Sequence, residues 1–587
     1  MPGLLLKGVA VSPGVARGTA FVLVASHHHA VPRREISDDD IAGELARFDV
    51  ALERAEAELA ELRRSLIDRL PLEAEIFAAQ ALLVRSSQLV DPVRARVREQ
   101  RLNLEAALSE ALDELTLTFT GFADPVLRER AADIRDIGKR LLTVLVVGQS
   151  SGESVIPEGA VLIADELLPS VSARLELGRV RGLVTERGGR SSHASILARA
   201  RGLTAVAGIA GATEQIKTGD SVIVDGIAGL VVVNPDATIA REYERVEASI
   251  RAHQHELQQI LDLPSVTADG VRVPLLANVN AFADTEAAVR YHAEGIGLYR
   301  TEFGFFIRPS LPTEDEQYEF LERAAARFAP RPLTLRLLDV GGDKELPTLP
   351  LPYARNPSLS QRGIRLLLEH PAILRTQLAA FLRVSAQHPI SILVPVVGGV
   401  EDIRRTRAVI RDVQSELRAR GLRFNGDTPV GAMIEVPSAA LMVPALAREV
   451  DFFSLGTNDL TQYLLAVDRE DERVAGYYQP LHPSVLHLIH SVTDAARTAR
   501  RELTICGEMA GLAENVELLL GLGLRRFSVA PSQLLEVKSA IRGARLEDAE
   551  RLAQRALALD TADAIEALVA ERARCRPTLT PPPTPRS

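Results

Sequence analysis

The sequence predicts a multidomain α/β protein: an α/β domain carrying an inserted helical domain, then a linker helix, then a C-terminal (β/α)8 TIM barrel. Three observations carry that reading. Apolar residues step at helical spacing through residues 45 to 66, strand-like runs stand on both sides of that helical block, and eight apolar runs alternate with helical segments from about residue 265 onward. A chain of 587 residues is also far longer than one core supports, so roughly three or four domains or subdomains are expected.

The opening "KGVAVSPGVARGTAFVLV" reads as short strands parted by Pro-Gly and Gly turns. Three adjacent histidines at 27 to 29 cannot share one face, which favours a solvent loop over a metal site. From Ile36 to about Val147 the period turns helical, with Leu45, Phe48, Leu52, Ala55, Leu59, Leu62 and Leu66 stepping by threes and fours. Periodicity leaves open whether this block is a structural hairpin, a coiled-coil dimer or a docking surface for a partner. Strands resume with "AVLIADE", "GLVTE", "TAVAG" and "SVIVDG". The helical block, residues 33–147, is therefore an insertion in an α/β domain built from 1–32 and 148–235. A charged linker helix follows at 236–262, the barrel spans 263–575, and the proline-rich tail 576–587 reads as disordered.

Composition narrows the class. Hydrophobic residues make up 46% and charged residues 25%, with mean hydropathy +0.06, the profile of a soluble globular protein. A net charge of −10 argues against a nucleic-acid partner, because phosphate backbones demand a basic face. It leaves room for a local basic cleft that takes a small anion. Cys506 and Cys575 are too few for a disulfide framework and fit a reducing cytoplasm. The start "MPGLLLKGVAVSPG" is too short an apolar run for a signal peptide, and no run of about 18 apolar residues occurs, so no membrane insertion is expected.

The barrel runs finish on polar residues: Arg300 and Glu302, Asp339, Glu435, Asn458 and Asp459, Cys506 and Glu508. A packed strand has no reason to end on a charge each time, whereas TIM barrels place their chemistry at the C-terminal strand ends. Arg300, Arg336 and Arg469 supply guanidinium forks suited to phosphate or carboxylate. Arg336 is read as lying inside its strand, pointing with Leu338 and Val340. Glu435 and Asp459 offer hard oxygen ligands for a Mg²⁺ shared with a phosphorylated substrate. Cys506 is either a buried packing thiol or a reactive one.

In "GGRSSHASILARA", Gly188 and Gly189 allow close backbone approach and Ser191 or Ser192 can cap a helix whose N-terminus attracts anions. His193 there is either an ordinary capping residue or a nucleophile that accepts a phosphoryl group. Phosphoryl transfer needs positioning and charge neutralisation above all, and the barrel ends offer the cations.

"GGRSSHASILARA" and "DFFSLGTNDLTQYLLAVDR" closely resemble the two signatures of phosphoenolpyruvate-utilising enzymes. The order of parts is similar to Enzyme I of the bacterial sugar phosphotransferase system. That likeness runs from "GVAVSPGVARGTAF" through "RDIGKRLL", "YRTEFGFF", "RLLDVGGDKELP", "NPSLSQRGIR" and "MIEVPSAAL" to "CGEMAG". The resemblance implies that phosphoenolpyruvate phosphorylates His193 through Nε2, and that the group then passes to an HPr-type histidine phosphocarrier protein, the first step of sugar uptake. It implies that Arg300, Arg336, Asn458, Asp459 and Arg469 bind phosphoenolpyruvate, with Lys344 and Arg362 nearby. Glu435 and Asp459 would hold Mg²⁺ or Mn²⁺, and Cys506 would protonate the enolpyruvate carbon to give pyruvate. The α/β domain would swivel about the linker, the insertion would dock the carrier, the barrel would form a homodimer, and the compartment would be the cytoplasm.

The chain departs from the family pattern at Gln80, where His is usual, at "RSSQ", at Gln361, and at Glu470 and Asp471 after "AVDR". Two other readings are a regulatory paralogue, or transfer to a non-standard carrier, and a dikinase. The last would need an ATP-binding domain ahead of His193, where only 192 residues without a Gly-rich phosphate loop stand.

Overall fold

The computed structural model describes residues 4–574 except 24–32, 67–76, 78–79, 82, 121–124, 147–155, 168–176, 190–191, 281, 307–309, 343–345, 347, 350, 353, 355, 470 and 472. The histidines at 27 to 29, Lys344, Glu470, Cys575 and the proline-rich tail lie outside the described residues. The chain forms two compact units, Met1–His253 and Gln254–Ser587.

In the first unit β1 (Leu4–Lys7), β2 (Val9–Ser12), β3 (Val15–Leu23), β4 (Ala160–Ala164), β5 (Val180–Thr185), β6 (Thr204–Ala207), β7 (Ser221–Asp225) and β8 (Leu230–Val233) make one sheet. Its order is β1-β8-β7-β3-β4-β5-β6-β2, with β3 to β6 parallel and the flanking pairs antiparallel. The strand "AVLIA" is buried at every position, as a strand covered on both faces must be. Alternate residues feed different cores: Val161 and Ile163 join Val184 and Val206, while Ala160 and Leu162 join Leu183, Leu197 and Ala198.

Between β3 and β4 stand α1 (Ile41–Leu66), α2 (Ser87–Glu99), α3 (Leu104–Thr120) and α4 (Pro125–Val146). The stripe Phe48, Leu52, Ala55 and Leu59 is buried against Leu104, Leu108, Ile134, Ile137 and Leu141, with Leu45 and Leu62 at its margin. The Leu66 side chain lies outside the described residues. The apolar stripe is thus consumed inside the insertion, which resolves the open choice against a coiled-coil seam. Gln80 is also wholly buried, and its Nε2 donates to Asp136 Oδ2 at 3.2 Å. That departure from the family pattern belongs to the core of the helical block and not to its surface.

After β8, α5 (Ala237–Gln259) leaves the sheet. Its first half is held by Arg17, which pairs with Glu244 and Glu247 at 2.8 Å each, and by Tyr243 donating to Asp225 at 3.1 Å. Past its far end, Lys538 donates to Leu261 O and Arg542 to Pro264 O, while Leu257 and Ile260 pack on Leu535.

The second unit is a closed barrel of eight parallel strands, as the sequence predicts: β9 (Leu275–Val279), β10 (Ile296–Tyr299), β11 (Leu333–Arg336), β12 (Ile390–Val394), β13 (Val430–Ile434), β14 (Phe452–Leu455), β15 (Glu502–Ile505) and β16 (Phe527–Val529). Closure comes from β16 on β9, in register Phe527 with Leu275. Leu298, Leu393, Met433 and Cys506 form a small apolar cluster of their own. β11 stops at Arg336, so this arginine is the last residue of its strand and not an interior one. Among the described residues no helix is long and apolar enough to cross a membrane.

Candidate active site

The loop after β5 carries the histidine motif. Gly188 has φ +101°, and a Cβ there would sit 2.8 Å from Ser192 Oγ, so glycine is required for the turn. His193 opens a helix that runs His193–Arg201 and ends on Gly202 in the left-handed region. Ser192 occupies the N-cap position, but its hydroxyl does not cap the helix. It donates to Gly189 O at 3.0 Å and contacts Ser195 Oγ at 2.8 Å, and Ser195 Oγ also donates to Gly189 O at 2.5 Å. The two hydroxyls cinch the glycine turn and leave the first-turn amides to be met otherwise. Arg190, Ser191 and the imidazole of His193 lie outside the described residues.

In the barrel unit a buried ladder of opposite charges crosses the C-terminal strand ends. Arg336 Nη2 donates to Glu302 Oε1 at 2.6 Å and Arg336 Nη1 lies 3.3 Å from Asp339 Oδ2. Asp339 grips Arg362 in a fork, Nε to Oδ1 at 2.9 Å and Nη2 to Oδ2 at 3.0 Å. Arg362 Nη1 then reaches Asp459 Oδ1 at 3.0 Å and Tyr463 Oη at 3.3 Å. Arg362 is carried there by an isolated backbone bridge to Gly341, whose φ is +97° and whose Cβ would strike Gln361 O at 2.1 Å. Glu435, the residue after β13, accepts from Val396 N at 2.6 Å. Gly456 gives its carboxylate room, since a Cβ there would meet Glu435 Oε2 at 2.9 Å.

More exposed groups complete the mouth. Arg300 Nη1 donates to Asn280 Oδ1 at 3.1 Å. Asn458 Oδ1 accepts from Glu508 N at 2.8 Å, and its backbone carbonyl accepts from Tyr478 Oη at 3.3 Å. Arg469 is anchored through its own N–H to Gln462 Oε1 at 3.2 Å and hydrogen-bonds Tyr478. Cys506 is buried and donates to Leu455 O at 3.4 Å.

The charges are unbalanced in a telling way. Burial would lower the basicity of Arg336, but Glu302, Asp339 and Glu435 outweigh it and keep the guanidinium firmly charged. Glu435 is pushed up to about 7, first by burial, then by the neighbouring Asp459 and Asp339 carboxylates. With Glu435 ionised, four buried carboxylates (Glu302, Asp339, Glu435 and Asp459) face two buried guanidiniums (Arg336 and Arg362) among the described residues, an excess of two negative charges. A hard divalent cation on Glu435 and Asp459 would offset that excess with oxygen donors of the right chemistry. Burial pushes the Cys506 thiol up to about 12, so it remains protonated at neutral pH.

Glu435 sets a pH dependence with a definite sign. Between its usual 4.5 and about 7 the folded chain retains a proton that the unfolded chain has lost, so stability falls as pH rises across that window. In chelator the protein should therefore melt lower at about pH 8 than at about pH 5, and Glu435→Gln should flatten that difference. Calorimetric melting of the two proteins checks it.

Family comparisons coincide with this layout. Residues 7–130 match the PEP-utilising enzyme, N-terminal family, 156–229 the PEP-utilising enzyme, mobile domain, and 254–546 the PEP-utilising enzyme, PEP-binding domain. Phosphoenolpyruvate-protein phosphotransferases are similar along their whole length: that of Haemophilus influenzae is 40% identical over 97% of this chain and 99% of its own. Those of Bacillus sp. (strain S) and Geobacillus stearothermophilus are each 39% identical over 96% of this chain and 97% of theirs. The chain belongs to the PEP-utilising enzymes, among the phosphoenolpyruvate-protein phosphotransferases.

Of the residues singled out in the sequence, this PEP-utilising enzyme gathers Arg300, Arg336, Glu435, Asn458, Asp459, Arg469 and Cys506 at the C-terminal ends of one barrel. His193 is on the other unit. Sequence reasoning missed Gln377 altogether: it is fully buried on the helix Pro371–Val384, and its Oε1 accepts from Leu338 N at 2.8 Å. A glutamine on the core face of a helix was the available signal. Asp471 proves less disruptive than its charge suggests, because Arg473 clasps it through Nε and Nη2 at 2.9 and 2.6 Å.

Proposed function

We propose that the chain moves the phosphoryl group of phosphoenolpyruvate to its own His193 and then to a histidine of a small HPr-type carrier protein, with release of pyruvate. The observation that supports this most is the buried ladder of Arg336 and Arg362 interleaved with carboxylates beside Glu435. Such a cluster holds its guanidiniums rigidly, and with a divalent cation on Glu435 and Asp459 it would present positive charge to a small anion.

Arg300, Arg336 and Arg469 take the phosphoryl and carboxylate oxygens of the substrate, and Asn458 and Asp459 line the same site. Mg²⁺, or Mn²⁺ in its place, would be held by Glu435 and Asp459 and would neutralise charge on the phosphoryl oxygens. His193 Nε2 forms the N–P bond as the bond from phosphorus to the enol oxygen breaks. The enolpyruvate carbon then takes the Cys506 thiol proton, which that thiol still carries at neutral pH, and the thiolate regains a proton from water. His193 has to serve a bound substrate and later a carrier, so the unit that bears it turns about the helix Ala237–Gln259 between the two tasks.

The helical insertion is the natural seat for the carrier, and the barrel unit for a homodimer contact. Exposed Leu359, Leu441 and Tyr477 give that unit apolar surface for it. The cytoplasm is the compartment this chemistry serves.

The reading is tested by incubating the chain with labelled phosphoenolpyruvate, Mg²⁺ and an HPr-type carrier. One pyruvate should form per labelled carrier histidine, and none in the chain's absence. Pyruvate released without label on any protein would contradict the reading.

A further inference from the structure

We propose that Glu302 is a positioning residue that aims Arg336 at the substrate; the inference rests on the function proposed above. It starts from an accounting of backbone amides. β11 ends at Arg336, and Leu337 N still bonds Leu393 O at 2.9 Å, but the next two amides have left the ladder and need acceptors. Gln377 Oε1 takes Leu338 N at 2.8 Å, and Glu302 Oε1 takes Asp339 N at 3.0 Å. The same Glu302 oxygen takes Arg336 Nη2 at 2.6 Å.

One carboxylate oxygen thereby ties the guanidinium to the turn that carries Asp339. Asp339 in turn holds Arg362 in its fork, so the two arginines share one reference frame. The frame is fixed from below as well: Thr301 Oγ1 donates to Arg336 O at 3.0 Å, and Gln377 Nε2 donates to Thr301 Oγ1 at 3.2 Å. Glu302 and Arg336 are both more than nine-tenths buried. A charge-assisted bond in that setting is strong and directional, and the arginine cannot turn away without stranding the carboxylate. An anionic side chain has nothing to offer a phosphate directly, so Glu302 acts through Arg336.

The plain alternative is that Glu302 only satisfies the Asp339 amide. A glutamine would do that equally well, because its amide oxygen can accept the same N–H. The experiment is calorimetric binding of phosphoenolpyruvate with Mg²⁺ to the full chain carrying His193→Ala, which binds without turnover. In that parent Glu302→Gln should weaken binding about tenfold, and in an Arg336→Gln background by less than about twofold. Equal losses in both backgrounds, or none in either, would overturn the positioning role. If melting shows that the Gln variant does not fold, Glu302→Asp replaces it. It keeps the charge but withdraws it by one methylene, and the same two losses are expected. A parent that binds no phosphoenolpyruvate would instead bring down the proposed function, an outcome separate from a parent that binds and is indifferent to Glu302.

Discussion

Replacing His193 with alanine should abolish protein-bound label from phosphoenolpyruvate, a loss limited only by the detection floor. The imidazole is the group we assign to the covalent intermediate. Among the described residues, the hydroxyls of the flanking Ser192 and Ser195 are committed to each other and to Gly189 O. A serine phosphate would also survive acid, whereas a phosphoramidate does not. The fold should be untouched, since the side chain begins a helix whose packing rests on Ala194, Leu197 and Ala198. Acid-labile label on the variant equal to that on the parent would refute the assignment, and unchanged melting would show that folding was preserved.

Asp459→Asn should lower the rate of His193 phosphorylation by about a thousandfold, the scale of removing a main electrostatic stabiliser from a phosphoryl-transfer site. Asparagine keeps an oxygen for Arg362 Nη1, so the buried ladder retains its hydrogen bond. It removes the Asp459 charge, which with burial pushes Glu435 up to about 7 and which would pair with Glu435 as a seat for a divalent ion. The defect should appear mainly in the transfer rate and in the metal concentration required, and excess Mg²⁺ should recover part of it. Stopped-flow measurement of pyruvate release against metal concentration checks this. A rate within a few fold of the parent at all metal concentrations would mean that Asp459 holds no metal in this chain.

Much of this molecule is legible before folding. The barrel is written as apolar runs most of which end on a charge or amide, because strand interiors must be apolar and the reactive face lies at one end. The insertion is legible because Phe48, Leu52, Ala55 and Leu59 fall on one helical face, and all four are buried there. Other features depend on where pairing stops, which periodicity does not encode. Arg336 reads as interior to a long apolar run, yet its strand ends on it, and that ending is what brings Glu302 and Gln377 into play. Ser192 has the sequence of a cap and the position of one, but Gly189 O competes for its hydroxyl. Gln80 looks like a change on a docking segment and is a core residue bonded to Asp136. Charge counting along the chain likewise could not reveal that Arg473 neutralises Asp471.

On the proposed function, phosphorus passes from phosphoenolpyruvate to an imidazole nitrogen of this chain. Phosphorus NMR of the full-length protein, mixed with phosphoenolpyruvate and Mg²⁺ and followed alongside pyruvate, tests it most directly. A single new phosphoramidate resonance is expected, equal in amount to the pyruvate formed and absent from His193→Ala. A resonance of a phosphoserine or acyl phosphate, or pyruvate accumulating with only inorganic phosphate beside it, would contradict the account.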